Sequence, residues 1–231
     1  MALIPIEITL HLVFLAGVAL VVLLTRRREP DPAARMKLLI YYGIVQAVIL
    51  STLNRAIFIT LASAVIAGAA IEILRLKVRV IPFIVFIPVA AGFLAFSLKL
   101  RMSTIRLCYL LVAIFDFASE IGGRIFGRTR LLPTVSPGKT VEGLAAGLFT
   151  VFSVTAVLSV LGFNGVQQPY LLTAIVTAAA FFGDMLASLC KRRNGIKDFS
   201  STIPAHGGIL DRFDSFVFSA AVVFLFSFVT A

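Results

Sequence analysis

The chain has 231 residues, of which 60% are hydrophobic and only 14% charged, and its mean hydropathy is +1.04. A soluble domain carries about a quarter of its residues charged, so this composition excludes an ordinary globular protein and points to one integral membrane domain. The net charge of +10 comes from 21 Lys and Arg against 11 Asp and Glu; the basic residues lie in short loops between apolar runs, which fits the positive-inside rule and anionic lipid headgroups rather than nucleic acid.

Aromatic content points the same way. It is mostly Phe, with no Trp and no nucleic-acid-binding pattern. Cys108 and Cys190 form no C-x-x-C pair and too small a set for a disulfide framework, so they imply neither a metal nor a disulfide.

A helix needs about 20 apolar residues to cross the hydrocarbon core. Eight runs meet or approach that length, at roughly 3–24, 38–53, 56–74, 80–98, 103–120, 142–162, 169–189 and 209–230. The expected fold is therefore all-α, a polytopic membrane protein of seven or eight transmembrane helices. The second run is short, and only Asn54-Arg55 separates it from the third, so the pair reads as two spans or as one hairpin.

The first run is followed, not preceded, by Arg26, Arg27 and Arg28, and no small-residue cleavage site stands out; it reads as a retained span rather than a signal peptide. His11 within it reads as structural. Loops 25–37, 75–79, 121–141 and 190–208 are rich in Lys and Arg and are expected in the cytoplasm, with the uncharged loop 163–168 outside. Lys99, Arg101 and Arg106 break this pattern, because alternation puts them outside. Two parts are expected: N-terminal helices over 1–109 and a catalytic C-terminal membrane domain over 110–231. The spacing of Gly143 and Gly147 suits close helix packing and carries no function by itself.

Carboxylates within apolar runs are costly and usually face a polar cavity. Asp116 falls late in the fifth run, Asp184 in the middle of the seventh, and Asp211 and Asp214 at the start of the eighth. Asp211, Asp214 and Ser215 share one helix face, and Asp184 and Ser188 are one turn apart. Asp184 and Asp211 would meet if their helices pack, and converging carboxylates suit a hard cation such as Mg²⁺. The competing reading is pairing with Lys191, Arg192 or Arg212.

Between the last two runs lie Lys191, Arg192, Arg193 and Lys197, then His206-Gly207-Gly208, whose glycines allow backbone N–H groups to approach an anion closely. Upstream, Ser136-Pro137-Gly138-Lys139-Thr140 stands just before a helix. It is not a P-loop, because the spacing fails and no strand is expected before it. Lys139, Thr140 and a helix N-terminus are still able to hold a phosphate.

These elements together resemble the phosphatidate cytidylyltransferases (CDP-diacylglycerol synthases). Ser188, Lys191, Arg192, Lys197, Asp198, Pro204, His206, Gly207, Gly208, Asp211, Arg212 and Asp214 match the closing signature of that family. Asp116, Gly123, Arg124, Gly127, Pro133, Ser136, Pro137, Lys139, Thr140, Glu142 and Gly143 match its upstream element. The likeness covers about residues 110–220. The chain departs from the pattern at Ser119-Glu120, Ala187, Phe199-Ser200 and Ala205.

The resemblance implies transfer of CMP from CTP to phosphatidate, giving CDP-diacylglycerol and pyrophosphate. On that basis Asp184 and Asp211 would hold Mg²⁺, with room for a second cation, and Asp214 and Asp198 would orient the site. Lys191, Arg192, Lys197 and Arg212 would bind the phosphates of CTP and lipid. His206, Gly207 and Gly208 would line the nucleotide site, and Ser136, Lys139 and Thr140 would close it. Asp116, Arg124 and Ser188 complete the substrate-binding set.

Expected partners are CTP, phosphatidate or a related lipid phosphate, membrane lipids and, as an option, a second copy of the chain; nucleic acid is not expected. The expected location is the bacterial inner membrane, with the site facing the cytoplasm. Two alternatives remain open: a CTP-dependent kinase of a polyprenol-type lipid alcohol, with Glu120 or His206 as base, and a non-catalytic membrane paralogue. The departures bear chiefly on the identity of the lipid acceptor.

Overall fold

The computed structural model describes residues 32–78, 80–161, 166–203 and 207–229. The first predicted span, His11 and His206 lie outside the described residues. The chain divides into two compact units, Met1–Ile44 and Val45–Ala231. Of the smaller unit, the described part is helical. The larger unit contains everything that follows, so helices from both sides of residue 110 share one compact body.

The described elements, in order, are α1 (Pro32–Ser51), α2 (Arg55–Leu74), α3 (Val80–Lys99), α4 (Met102–Phe126), β1 (Arg130–Leu132), β2 (Ser136–Thr140), α5 (Val141–Val160), α6 (Pro169–Arg193) and α7 (Leu210–Val229). Each helix matches one predicted apolar run. Four helices are long and apolar enough to cross a membrane among the described residues: α2, α3, α5 and α6. Large apolar side chains face outward along them, including Val80, Ile84, Phe149 and Val160. This is a helical integral membrane protein.

Two local expectations change. Gly123–Phe126, read as loop, forms the last turn of α4, and Lys191–Arg193 form the last turn of α6. The 130–140 stretch, also read as loop, is an antiparallel hairpin pairing Arg130 with Thr140 and Leu132 with Ser136.

Helix boundaries follow from side-chain chemistry. The Asn54 side chain accepts N–H groups of Ala56 (2.9 Å) and Ile57 (3.4 Å), capping α2. Arg55 donates to the carbonyls of Leu98 (2.6 Å) and Leu100 (2.7 Å), satisfying the end of α3. Arg106 donates to the Thr52 hydroxyl (2.9 Å) and carbonyl (3.3 Å). Arg106 thus serves the turn between α1 and α2, which accounts for one of the basic residues that disturbed the charge pattern.

Helix contacts are built on small residues and aromatic edges. Gly143 and Gly147 of α5 lie directly against Ser119, Gly123 and Phe115 of α4, so a Cβ at either glycine would collide. Close approach of this kind suits helices in lipid, where dispersion and packing drive association. Gly92 of α3 sits against Ala221 of α7. Phe216 of α7 takes Phe93, Phe96 and Tyr109 edge-on, at centroid distances of 5.5, 6.2 and 5.0 Å. Between α5 and α6 the buried hydroxyls of Thr155 and Thr173 meet at 2.8 Å. These contacts bring the ends of α2, α4 and α6, the starts of α5 and α7 and the hairpin to one pole of the bundle.

Candidate active site

The hairpin is fixed from the helix it precedes. The Thr140 hydroxyl accepts the Gly143 N–H (3.1 Å) and caps α5. The Glu142 carboxylate accepts the N–H groups of Arg128 (3.1 Å) and Thr129 (3.2 Å), which pins the approach to β1. Lys139, held at the end of β2, reaches across to α6 and pairs with Asp184 at 2.6 Å. Its ammonium also lies 4.8 Å from the centre of the Phe181 ring. Ser188, one turn below, donates to the other Asp184 oxygen at 3.4 Å.

A second pair joins α6 to α7. Lys191 donates to Asp211 Oδ1 at 2.7 Å, with side-chain exposures of 12% and 1%. The Phe199 and Gly208 N–H groups both donate to Asp211 Oδ2, each at 2.8 Å. Both oxygens of this buried carboxylate are therefore engaged. Lys191 also stands 5.2 Å from the Phe199 ring centre, so the Phe199 departure places an aromatic face beside the signature lysine.

Gly207 has φ of 82°, and a Cβ there would come within 2.9 Å of Asp211 Oδ2 and 3.0 Å of Asp198. The glycine pair brings backbone close to an anion, as the sequence suggested, but the anion at Gly208 is the protein's own Asp211.

Asp214 accepts the Ser215 N–H at 2.8 Å and lies within electrostatic reach of Asp184 and Lys191, so it links the two pairs. Asp116 of α4 lies within electrostatic reach of Asp184 and Lys139. Asp184 and Asp211 do not share one partner; each has its own lysine.

Arg192 donates to the carbonyls of Val135 (3.2 Å) and Ile196 (3.3 Å), bracing the hairpin turn against the end of α6. Ser136 sits in β2, opposite Leu132. Lys197, Asp198 and Arg212 are exposed at the same pole. Arg124 stands apart from the lysine–carboxylate pairs, in an exposed ion pair with Glu120 one turn away.

A family model described as the cytidylyltransferase family matches residues 33–230. The chain belongs to the cytidylyltransferase family. A phosphatidate cytidylyltransferase of Aquifex aeolicus (strain VF5) is 39% identical over 151 residues, covering 62% of this chain and 54% of that protein. One of Staphylococcus saprophyticus subsp. saprophyticus is 40% identical over 116 residues, covering 49% of this chain and 45% of that protein. The uncharacterized protein YnbB of Escherichia coli (strain K12) is 38% identical over 112 residues, 48% of this chain and 38% of its own length. The chain spans about half the length, or less, of these relatives.

For a cytidylyltransferase the question of a metal arises, and the residues answer it in part. Asp116, Asp184, Asp211 and Asp214 supply the oxygen donors that suit Mg²⁺. Lys139 and Lys191 already balance Asp184 and Asp211 one for one. Among the described residues no three acidic, His or Cys side chains form a ready cage. By type of donor atom the set fits a hard cation. Ligation by Asp211 Oδ1 would require Lys191 to yield that oxygen.

Sequence reasoning missed two residues that build this site. Glu72 of α2, 2% exposed, accepts from Ser200, Ile209 and Leu210. Its signal was present: a lone carboxylate near the end of an apolar run. Asn194 exchanges two hydrogen bonds with the Val78 backbone, Val78 N–H to Oδ1 at 2.7 Å and Nδ2 to the Val78 carbonyl at 3.3 Å. Nothing in the sequence marks that pairing, because Asn194 looks like an ordinary turn residue.

Proposed function

We propose that this chain transfers CMP from CTP to phosphatidate or a closely related lipid phosphate, releasing pyrophosphate. The observation that carries the reading is the convergence of the Lys139–Asp184 and Lys191–Asp211 pairs at one pole of a membrane helix bundle. Both lysines come from the segments that resemble the family signature, and relatives similar to part of this chain are named phosphatidate cytidylyltransferase.

In the proposed reaction a phosphate oxygen of the lipid forms a bond to the α-phosphorus of CTP. The bond from that phosphorus to the bridging oxygen breaks, and pyrophosphate takes the electron pair. The attacking phosphate is already anionic and needs no strong base. The demands are to bring two anions together and to stabilise the charge that moves to the leaving group, which are tasks for positioned cations. Lys139 and Lys191 stand at the centre for this, with Arg192, Lys197 and Arg212 at the rim. Ser136 and Thr140 shape the hairpin side, and Asp198, Asp214 and Asp116 hold the neighbouring charges in place.

Asp184 and Asp211 would hold Mg²⁺, which when bound neutralises phosphate charge; Asp116 and Asp214 leave scope for a second cation. His206 and Gly207 would border the nucleotide. The pole faces the cytoplasm of a bacterial inner membrane, and the bundle spans the bilayer seven or eight times. CTP then arrives from water, and the lipid arrives laterally with its acyl chains still in the bilayer.

The test is direct. Purified protein in detergent, given CTP, Mg²⁺ and phosphatidate, is expected to release pyrophosphate and form a CDP-lipid. Release of CDP without pyrophosphate would overturn the reading in favour of a lipid kinase. Absence of any CTP-dependent product would overturn it altogether.

A further inference from the structure

Glu72 is a buried carboxylate far from the signature segments in sequence. It lies on α2, and α2 packs against α7. Oε1 accepts the Ser200 hydroxyl (2.7 Å) and the Ile209 N–H (2.8 Å), and Oε2 accepts the Leu210 N–H (2.9 Å). Among the described residues no Lys or Arg pairs with it. Its charge is met instead by the N-terminus of α7, where free N–H groups and the helix dipole favour an anion.

The neighbouring amide completes the pattern. The Gly208 N–H goes to Asp211 Oδ2. Three successive amides, at 208, 209 and 210, are thus taken by two carboxylates, one from within α7 and one from α2. The fit is tight: a Cβ at Gly208 would lie 2.6 and 2.7 Å from the Glu72 oxygens. The lack of a side chain at Gly208 leaves Glu72 room to reach the turn. Ser200, one of the departures from the family pattern, provides the hydroxyl that ties the 198–203 strap to the same carboxylate.

The geometry assigns Glu72 as a positioning residue for the reaction, acting through Asp211. Glu72 fixes the first turn of α7 and the strap beneath it. Those two pieces supply the Gly208 and Phe199 N–H groups that orient Asp211, and Asp211 holds Lys191. The assignment rests on the cytidylyl-transfer reading above. It adds α2, outside the 110–220 region, to the machinery.

The test compares wild type, Glu72→Gln, Ser200→Ala and the double variant as purified full-length chains in detergent. Turnover of CTP with phosphatidate is measured beside amide hydrogen exchange by mass spectrometry. In Glu72→Gln an amide N–H₂ faces one of the N–H groups that Glu72 accepted. A hydrogen bond to a charged group is lost there, enough to lower kcat by about tenfold or more. The KM for CTP should change by less than about threefold, since Lys139 and Arg192 are held by contacts that do not involve Glu72. Exchange should accelerate over 199–211 and stay unchanged in α4 and α5. Ser200→Ala should show a smaller effect of the same kind, and should add little in the Glu72→Gln background, because both act through one carboxylate.

Folded Glu72→Gln with wild-type kcat and wild-type exchange over 199–211 would overturn the assignment. So would exchange raised evenly across all helices, the mark of a merely structural role. If Glu72→Gln does not fold, Ser200→Ala decides by the same two measurements. A wild-type chain without turnover would refute the cytidylyl-transfer reading alone, and the exchange data would still decide whether Glu72 holds the Asp211 turn.

Discussion

The Lys191–Asp211 pair makes the sharpest claim about what holds the site together. In Asp211→Asn the side chain keeps its shape but loses its charge. The amide oxygen is best spent on the two N–H groups of Phe199 and Gly208, which turns the new N–H₂ toward the Lys191 ammonium. Donor then faces donor, and a lysine 12% exposed is left without its counter-charge. Removing one partner of a buried ion pair costs about 3–5 kcal/mol. Lys191 keeps some access to water and the Phe199 ring, so about 2–3 kcal/mol is the reasonable expectation here.

A double-mutant cycle with Lys191→Met, read by reversible unfolding in mixed micelles, isolates the pair. The expected coupling is about 1.5 kcal/mol or more. A coupling under about 0.5 kcal/mol would refute the reasoning, because it would place the pair with ordinary exposed ion pairs. Activity provides a second reading. Folded Asp211→Asn should lose turnover by about two orders of magnitude, in line with removal of a group that orients a lysine and, in the proposed function, would offer an oxygen to the metal. Unchanged turnover would remove Asp211 from the site.

Other consequences follow from single contacts. Gly208→Ala should lower the melting temperature and turnover together, since its methyl group would press on Glu72; a variant as stable and active as wild type would mean the close approach is not real. Thr140→Ala should cost about 1 kcal/mol through loss of the α5 cap, with Thr140→Ser close to neutral; thermal unfolding of the two variants tests this. Gly147→Leu should separate α4 from α5 and abolish the folded, monodisperse species on size exclusion, because Ser119 and Phe115 occupy the space a side chain would need.

The helices were legible because apolar runs of spanning length leave little ambiguity, and the observed ends fall within a few residues of the reading except where charged residues extend a helix. Arg124 and Lys191–Arg193 were assigned to loops on polarity, yet a helix leaving the membrane keeps its hydrogen bonds for another turn, and cations are favoured at its C-terminus. The hairpin escaped notice because β1 and β2 are short and lack alternation. The carboxylates and lysines of the site were visible one by one. Their pairing was not: Lys139 comes from β2 and Asp184 from α6, and Glu72 meets Ser200 across 128 positions. Contacts of that range depend on how α2 and α6 pack on α7, which no local pattern encodes.

Charge at the two poles of the bundle also bears on orientation. Arg75, Lys77, Arg128, Arg130, Lys139, Lys191, Arg192, Arg193, Lys197 and Arg212 belong to the pole that carries the site. The opposite pole has Arg55, Lys99, Arg101 and Arg106, of which Arg55 and Arg106 are spent on carbonyls at the ends of α1 and α3 and on the Thr52 hydroxyl. Orientation follows the excess of Lys and Arg in short loops, so the proposed orientation puts the site pole in the cytoplasm and residues 166–168 outside. A single cysteine tests this. In a background with Cys108 and Cys190 replaced by Ala, Gln167→Cys, exposed just before α6, should react with a membrane-impermeant maleimide in intact cells. Arg128→Cys, exposed beside the hairpin, should react only after the cells are opened. The reverse pattern would turn the bundle over and take the site away from cytoplasmic CTP, so the orientation and the proposed substrate stand or fall on the same labelling experiment.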